Sequence, residues 1–361
     1  MYQLKTRQIC LFFIAFVPVS KLFILPSIIA SISSNDMWIS SLISFMLDLI
    51  TIFALIFTCK KTKLDVFTLI ENTFNKPTLK ILLSIYALLF FLKAVLPVAD
   101  LRNYVEITLY ETIPSSIYFL PFFLALIYFS VKPLKILGRC ADILWTFTLI
   151  GLFVIYALSF SNVDFSNLLP IATNPVKNIL FASYKSSLWY GDAIYLAFFL
   201  GNFLYKKKDG VKIILSFLAS VILTLIFMVF FYCIFTTVAF RQAYSLTEIS
   251  KYSTVINNIG RFDYIGIAFI LISNVISTCL PLYFCSYCIS KIIGVENKWV
   301  ISIIIAILLF IIVTFFREYF YSIETFITSY VSLAFVIFFN LLPILTIFLT
   351  KKEKKDAPTK A

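Results

Sequence analysis

Apolar residues run along this chain in long blocks, separated by short polar stretches. A bilayer-spanning helix needs about 20 mainly apolar residues. A window of that size predicts ten spans, at about residues 9–30, 38–58, 79–99, 114–131, 141–160, 186–204, 211–238, 262–290, 299–316 and 325–350. The longest connections, 161–185 and 239–261, are too short for a second domain. The pattern therefore predicts an all-α polytopic membrane protein built as a single integral unit over residues 1–361.

Composition strengthens that picture. The 361 residues are 61% hydrophobic and only 13% charged, whereas soluble domains are roughly half apolar and a quarter charged. The first apolar block begins close to Met1 and no small-residue cleavage site follows it, so a removable signal peptide is not expected. The chain has no histidine, which excludes a Ser–His–Asp triad, a histidine-liganded metal and an imidazole proton relay. With no HExxH motif and no clear nucleophile–base pair, neither an enzyme nor a cofactor is expected. Cys285 and Cys288 form a CxxC inside the apolar segment "STCLPLYFCSYCISK", and read as helix packing rather than as a redox or metal pair.

The formal charge of +12 follows from topology. Alternate polar segments, beginning with the N-terminus, hold 21 of the 30 basic residues, against seven in the opposite set. Positive charge collects on the cytoplasmic side, so both termini are expected there and no nucleic-acid partner is needed. The basic tail 351–361 reads as part of the same signal. Lys21 and Lys93 are left over, and both lie inside spans. An ionisable group at that depth costs about 2.5–3.5 kcal/mol on insertion scales unless it faces the protein interior.

Ten spans with both ends inside divide into repeat one, about 9–160, and repeat two, about 186–350, which enter the membrane from opposite sides. In inverted repeats the binding site lies between interrupted helices at matching places. Helix 1 carries Pro18 within "VPVSKLFILP", and helix 6 carries Ser186, Ser187, Gly191 and Asp192 within "SSLWYGDAIYLAF". Pro18 could also be an ordinary kink, and Gly191 a point of close packing. Two breaks, each beside a charge, favour a cavity, because non-helical backbone at membrane depth must be buried or line one.

The candidate ligand-binding residues are Pro18, Val19, Ser20 and Lys21 of helix 1, and Trp189, Tyr190, Gly191 and Asp192 of helix 6. Ser273, Asn274 and Ser277 of helix 8 join them, with Thr278 beside them. Lys21 sits mid-span and is expected inside, either replacing a bound cation or pairing with Asp192, Asp48 or a ligand carboxylate. Asp48, mid-way along helix 2, reads equally as a protonated acid bonded to a neighbouring helix. Lys93 lies nearer the outer end of helix 3 and is expected to snorkel to the interface. Ser273 and Ser277 share a helix face, and small polar residues there can serve only as interhelix glue. Asp100, Glu106 and Glu111, in "DLRNYVEITLYETIP", are candidates for an external partner contact.

"TRQICLFFIAFVPVSKLFILPS", "DMWISSLISFMLDLI" and "VDFSNLLPI" before "SSLWYGDAIYLAFFL" resemble the B-subunit family of spore germinant receptors, a branch of the amino acid–polyamine–organocation transporters. The most specific points are the "ILP" closing helix 1, the Trp38-Ile39-Ser40 opening helix 2, and the "NLLP" loop before a Gly-acid pair. That pair is Gly-Glu in the family and Gly191-Asp192 here. Val19 and Lys21 depart from the family's small, glycine-containing break in helix 1. The resemblance implies a LeuT-like fold with helices 1 and 6 broken, and a role in sensing a small nutrient germinant, expected to be an amino acid, in the inner membrane of the spore. It also implies a larger membrane subunit and a lipoprotein subunit as partners. A secondary amino-acid transporter is the alternative, since receptor and transporter would share the pocket.

Overall fold

The computed structural model describes residues 4–62, 66–108, 119–200, 205–206, 208–251, 263–295, 297–316 and 318–348, and those residues contain helices and no strand. The first span is divided. Helix α1 (Thr6–Phe16) stops at the approach to Pro18, whose ring removes a backbone donor. One 3-10 turn, Val19–Lys21, follows, and α2 (Leu25–Ser33) restarts with Pro26 in its first turn, where a missing N–H costs nothing.

Next come α3 (Met37–Thr62), the short α4 (Val66–Thr73), α5 (Lys76–Thr108), α6 (Leu120–Val131) and α7 (Leu134–Ser159). The sixth span is divided as well, into α8 (Val176–Lys185) and α9 (Ile194–Phe199). The chain continues through α10 (Asp209–Phe235), α11 (Ser245–Lys251), α12 (Asp263–Ile293), α13 (Trp299–Phe315) and α14 (Phe320–Phe348). Within α14 the turns widen twice to π geometry, at Ile327–Val331 and Val336–Leu341.

Among the described residues, six helical stretches are long and apolar enough to cross a bilayer, the first of them joining α2 to α3, and α6 and α13 are shorter apolar helices. Their outward faces carry exposed large apolar side chains, such as Ile81, Phe153, Val300 and Phe315. Such a surface suits lipid and not water. The protein is an all-α integral membrane protein.

Two of the boundaries that differ from the sequence expectation bear on the site and its surroundings. Helix 6 begins at Val176, ahead of the predicted residue 186, because "VKNILFASYK" carries two lysines that depress the hydropathy window. The stretch between Lys185 and Ile194 therefore interrupts the helix internally instead of lying in its outer half. Helix 3 continues to Thr108, so residues 100–108 are helix and not loop.

A polar clamp fixes the entry to helix 6. The buried Asp36, between α2 and α3, accepts hydrogen bonds from the backbone N–H of Ala172 (2.7 Å) and of Asn174 (2.9 Å). The Asn174 amide donates to the Ser33 carbonyl at 2.8 Å. In the interior, α12 packs against α5, α7 and α6, while α1 packs against α7 and α10. These contacts bring the breaks in helices 1 and 6 to the middle of the bundle beside α5 and α12.

Candidate functional site

The break in helix 6 is built around Gly191, which takes φ +76°, a left-handed conformation that L side chains rarely adopt. A Cβ added there would lie 2.9 Å from Cδ2 of Phe339, so α14 rests directly on the broken backbone. The Gly191 N–H donates to Asp48 Oδ2 at 3.1 Å. A helix terminus leaves backbone groups without helical partners, and here a side chain from α3 supplies one.

The freed carbonyls are also used. Lys93 of α5 donates to the carbonyl oxygens of Leu188 (2.8 Å) and Tyr190 (2.5 Å), and its Nζ lies 3.2 Å from Asp192 Oδ1. Lys21 of the helix 1 break donates to the Val17 carbonyl (2.9 Å), to Ser20 Oγ (3.3 Å) and to Asp192 Oδ2. Asp192 thus stands between two ammonium groups, one from each wall, and ties both breaks to α5. The four ionisable groups are buried: Lys21 and Asp48 are 0% exposed, Asp192 4% and Lys93 5%. With both carboxylates ionised the cluster is formally neutral. Aromatic rings complete it, with Tyr190 5.4 Å and Phe45 5.8 Å from Lys21 Nζ, and Phe339 5.7 Å from Lys93 Nζ. Such cation–π contacts strengthen when desolvated. Among the described residues, Asp48 Oδ1 has no hydrogen-bond partner.

A narrow cavity of about 30 Å³ opens beside this cluster, room for roughly two waters. Of the predicted ligand residues, Ser20, Trp189, Asp192 and Ser277 line it. Lys21 is not in its wall, and Ser273 is engaged elsewhere, its hydroxyl 2.8 Å from that of Thr148, which lies within hydrogen-bond reach of the Ala15 carbonyl (3.2 Å). That bridge holds α1, α7 and α12 together. Pro18, Val19, Tyr190 and Gly191 shape the breaks, and Asn274 is buried on α12, but none of these five is in the cavity wall.

A family model described as spore germination protein matches residues 3–321. The chain belongs to the spore germination protein family. No curated protein matches it. The family is of receptor or permease type rather than an enzyme family, in keeping with a site made of buried charge, rings and broken backbone.

Several features of this germination protein differ from the sequence reading. Lys93 does not snorkel; it turns inward because the Leu188 and Tyr190 carbonyls, freed by the break, need donors. Asp100 is buried on the extended α5, and Glu106 pairs with Arg102 of the same helix at 3.0 Å, so neither stands free as an external contact. Glu111 and the tail 351–361 lie outside the described residues. Cys285 and Cys288 are both buried and free. Sequence reasoning also passed over Pro97 and Pro281, which line the cavity from inside α5 and α12. Their signal was present, since each is a proline within an apolar span.

Proposed function

We propose that this chain is the membrane subunit of a nutrient germinant receptor, and that a small germinant binds in the cavity between the two broken helices. The observation that carries the reading is the buried Lys21–Asp192–Lys93 bridge, which joins both breaks to α5 beside the cavity. The cavity is too narrow for more than about two waters, so entry of a germinant requires its walls to part. The non-helical stretches around Pro18 and Gly191 are natural hinges for that movement, because they can change dihedral angles without breaking a helical ladder. A ligand that favours the parted form shifts the population towards it. Partner subunits, a larger membrane protein and a lipoprotein, would read that shift.

In this reading the chain follows the LeuT-like arrangement of two inverted five-helix repeats, as in the amino acid–polyamine–organocation transporters. It sits in the inner membrane of the spore with both termini cytoplasmic, and performs no catalysis. Deleting its gene in spores that lack every other germinant receptor tests the function. The expected result is normal spore formation with loss of germination in rich nutrient medium. Germination at the undeleted rate would overturn the proposal. Ligand uptake by proteoliposomes holding the chain alone would favour the secondary amino-acid transporter instead.

A further inference from the structure

An ammonium group has three N–H donors and no acceptor. Lys93 donates to the carbonyls of Leu188 and Tyr190 within the helix 6 break and faces Asp192 Oδ1 at 3.2 Å. Lys21 spends its three donors on Val17, Ser20 and Asp192. Each Asp192 oxygen thereby faces a resident ammonium. An incoming ammonium finds the place among its best acceptors, two carbonyls and a carboxylate, already taken by the tethered Nζ of Lys93. An incoming carboxylate finds both ammonium groups without a free donor. Lys21, Asp192 and Lys93 are closed upon one another.

Polar groups of another kind remain. Proline cannot donate to the carbonyl four residues earlier, so Pro97 and Pro281 leave the carbonyls of Lys93 and Ser277 without that helical hydrogen bond. All four residues line the cavity, together with the Ser20 and Thr278 side chains and the rings of Trp189 and Tyr195. This wall suits a molecule that donates through hydroxyl or amide groups and carries no charge.

We infer that the germinant is an uncharged hydrogen-bond donor, and that Lys93 is a resident ammonium that excludes ligands bearing one. The inference rests on reading the cavity as the germinant site, and it turns the expectation of an amino acid towards a neutral ligand. Free zwitterionic amino acids are excluded because Lys93 holds the position their ammonium would take.

Chemical rescue tests this on the purified full chain in detergent, followed by thermal unfolding. Wild-type protein should be unmoved by ethylammonium or by L-alanine. Lys93→Ala empties the carbonyl cradle, so ethylammonium should raise its unfolding midpoint by roughly 4 °C. Tetramethylammonium, which has the charge but no N–H, should have no effect. Lys93→Met keeps the stem in place and should gain nothing from ethylammonium. If Lys93→Ala is recovered only when ethylammonium is present during purification, the cradle is confirmed in another way. A Lys93→Ala chain that is unrecoverable or unresponsive with ethylammonium overturns the inference, as does stabilisation of the wild type by L-alanine. The latter outcome would leave the receptor reading intact, since that reading is judged separately by germination.

Discussion

Replacing Asp192 with asparagine should cost more stability than removing either lysine it serves. The carboxylate accepts from Lys21 on one oxygen and faces Lys93 at 3.2 Å on the other. Asparagine keeps the shape but offers one carbonyl, and turns an NH2 towards the second ammonium. Both buried ammonium groups then lose their shared carboxylate, and one of them faces a donor. Breaking a buried ion pair by removing one partner costs about 3–5 kcal/mol, and Asp192→Asn should lie in that range. Lys21→Met is gentler, at about 2 kcal/mol, because Asp192 keeps Lys93 as its counter-ion. In the double variant one ammonium remains instead of two, so its loss should fall short of the sum by about 2 kcal/mol. The measurement is unfolding of purified protein by sodium dodecyl sulfate in mixed micelles, followed by tryptophan fluorescence. Lys21→Met costlier than Asp192→Asn, or strictly additive losses, would refute the bridge.

Three further outcomes are expected. Gly191→Ala places a Cβ against Phe339 at 2.9 Å on a backbone with φ +76°, and should lose about 2–4 kcal/mol in the same unfolding assay, with part regained on adding Phe339→Leu. Asp36→Ala removes the acceptor for the Ala172 and Asn174 amides; it should cost about 2–3 kcal/mol and raise protease cutting in the segment before Val176, so unchanged cutting would count against the clamp. In a cysteine-depleted background, a membrane-impermeant thiol reagent applied to intact cells should label Thr173→Cys and spare Asn75→Cys, both exposed positions; the reverse pattern would invert the topology.

Much of this was legible in the sequence because the signals are local. Twenty apolar residues in a row mean a span wherever they occur, and Pro18 or a Gly-Asp pair breaks a helix whatever surrounds it. Lys21 also announced itself, since a mid-span lysine cannot reach either interface. Lys93 was misread because depth along a span says nothing about which way a side chain rotates. Its direction is set by two carbonyls nearly a hundred residues away. The start of helix 6 was misplaced because hydropathy measures lipid preference, and α8 packs against α2 and α3 instead. The π turns of α14 have no composition of their own. They coincide with long-range contacts: Tyr184 donates to the Ser329 carbonyl at 2.9 Å, and Thr51 to Asn340 at 3.0 Å. The Asp36 clamp depends likewise on residues distant in sequence.

The central claim, that a germinant acts from the cavity between the breaks, is tested most directly by filling that cavity in a living spore. Ser277 lines it from α12 and is nearly buried, so Ser277→Val would fill the space with a side chain small enough to leave the Lys21–Asp192–Lys93 bridge in place. Spores carrying this variant as their only germinant receptor should form normally and hold the protein at wild-type level by immunoblot. Their germination rate in rich nutrient medium should fall by about tenfold or more, equivalent to about 1.4 kcal/mol of lost ligand binding. A wild-type germination rate with the variant present at full level would contradict the account.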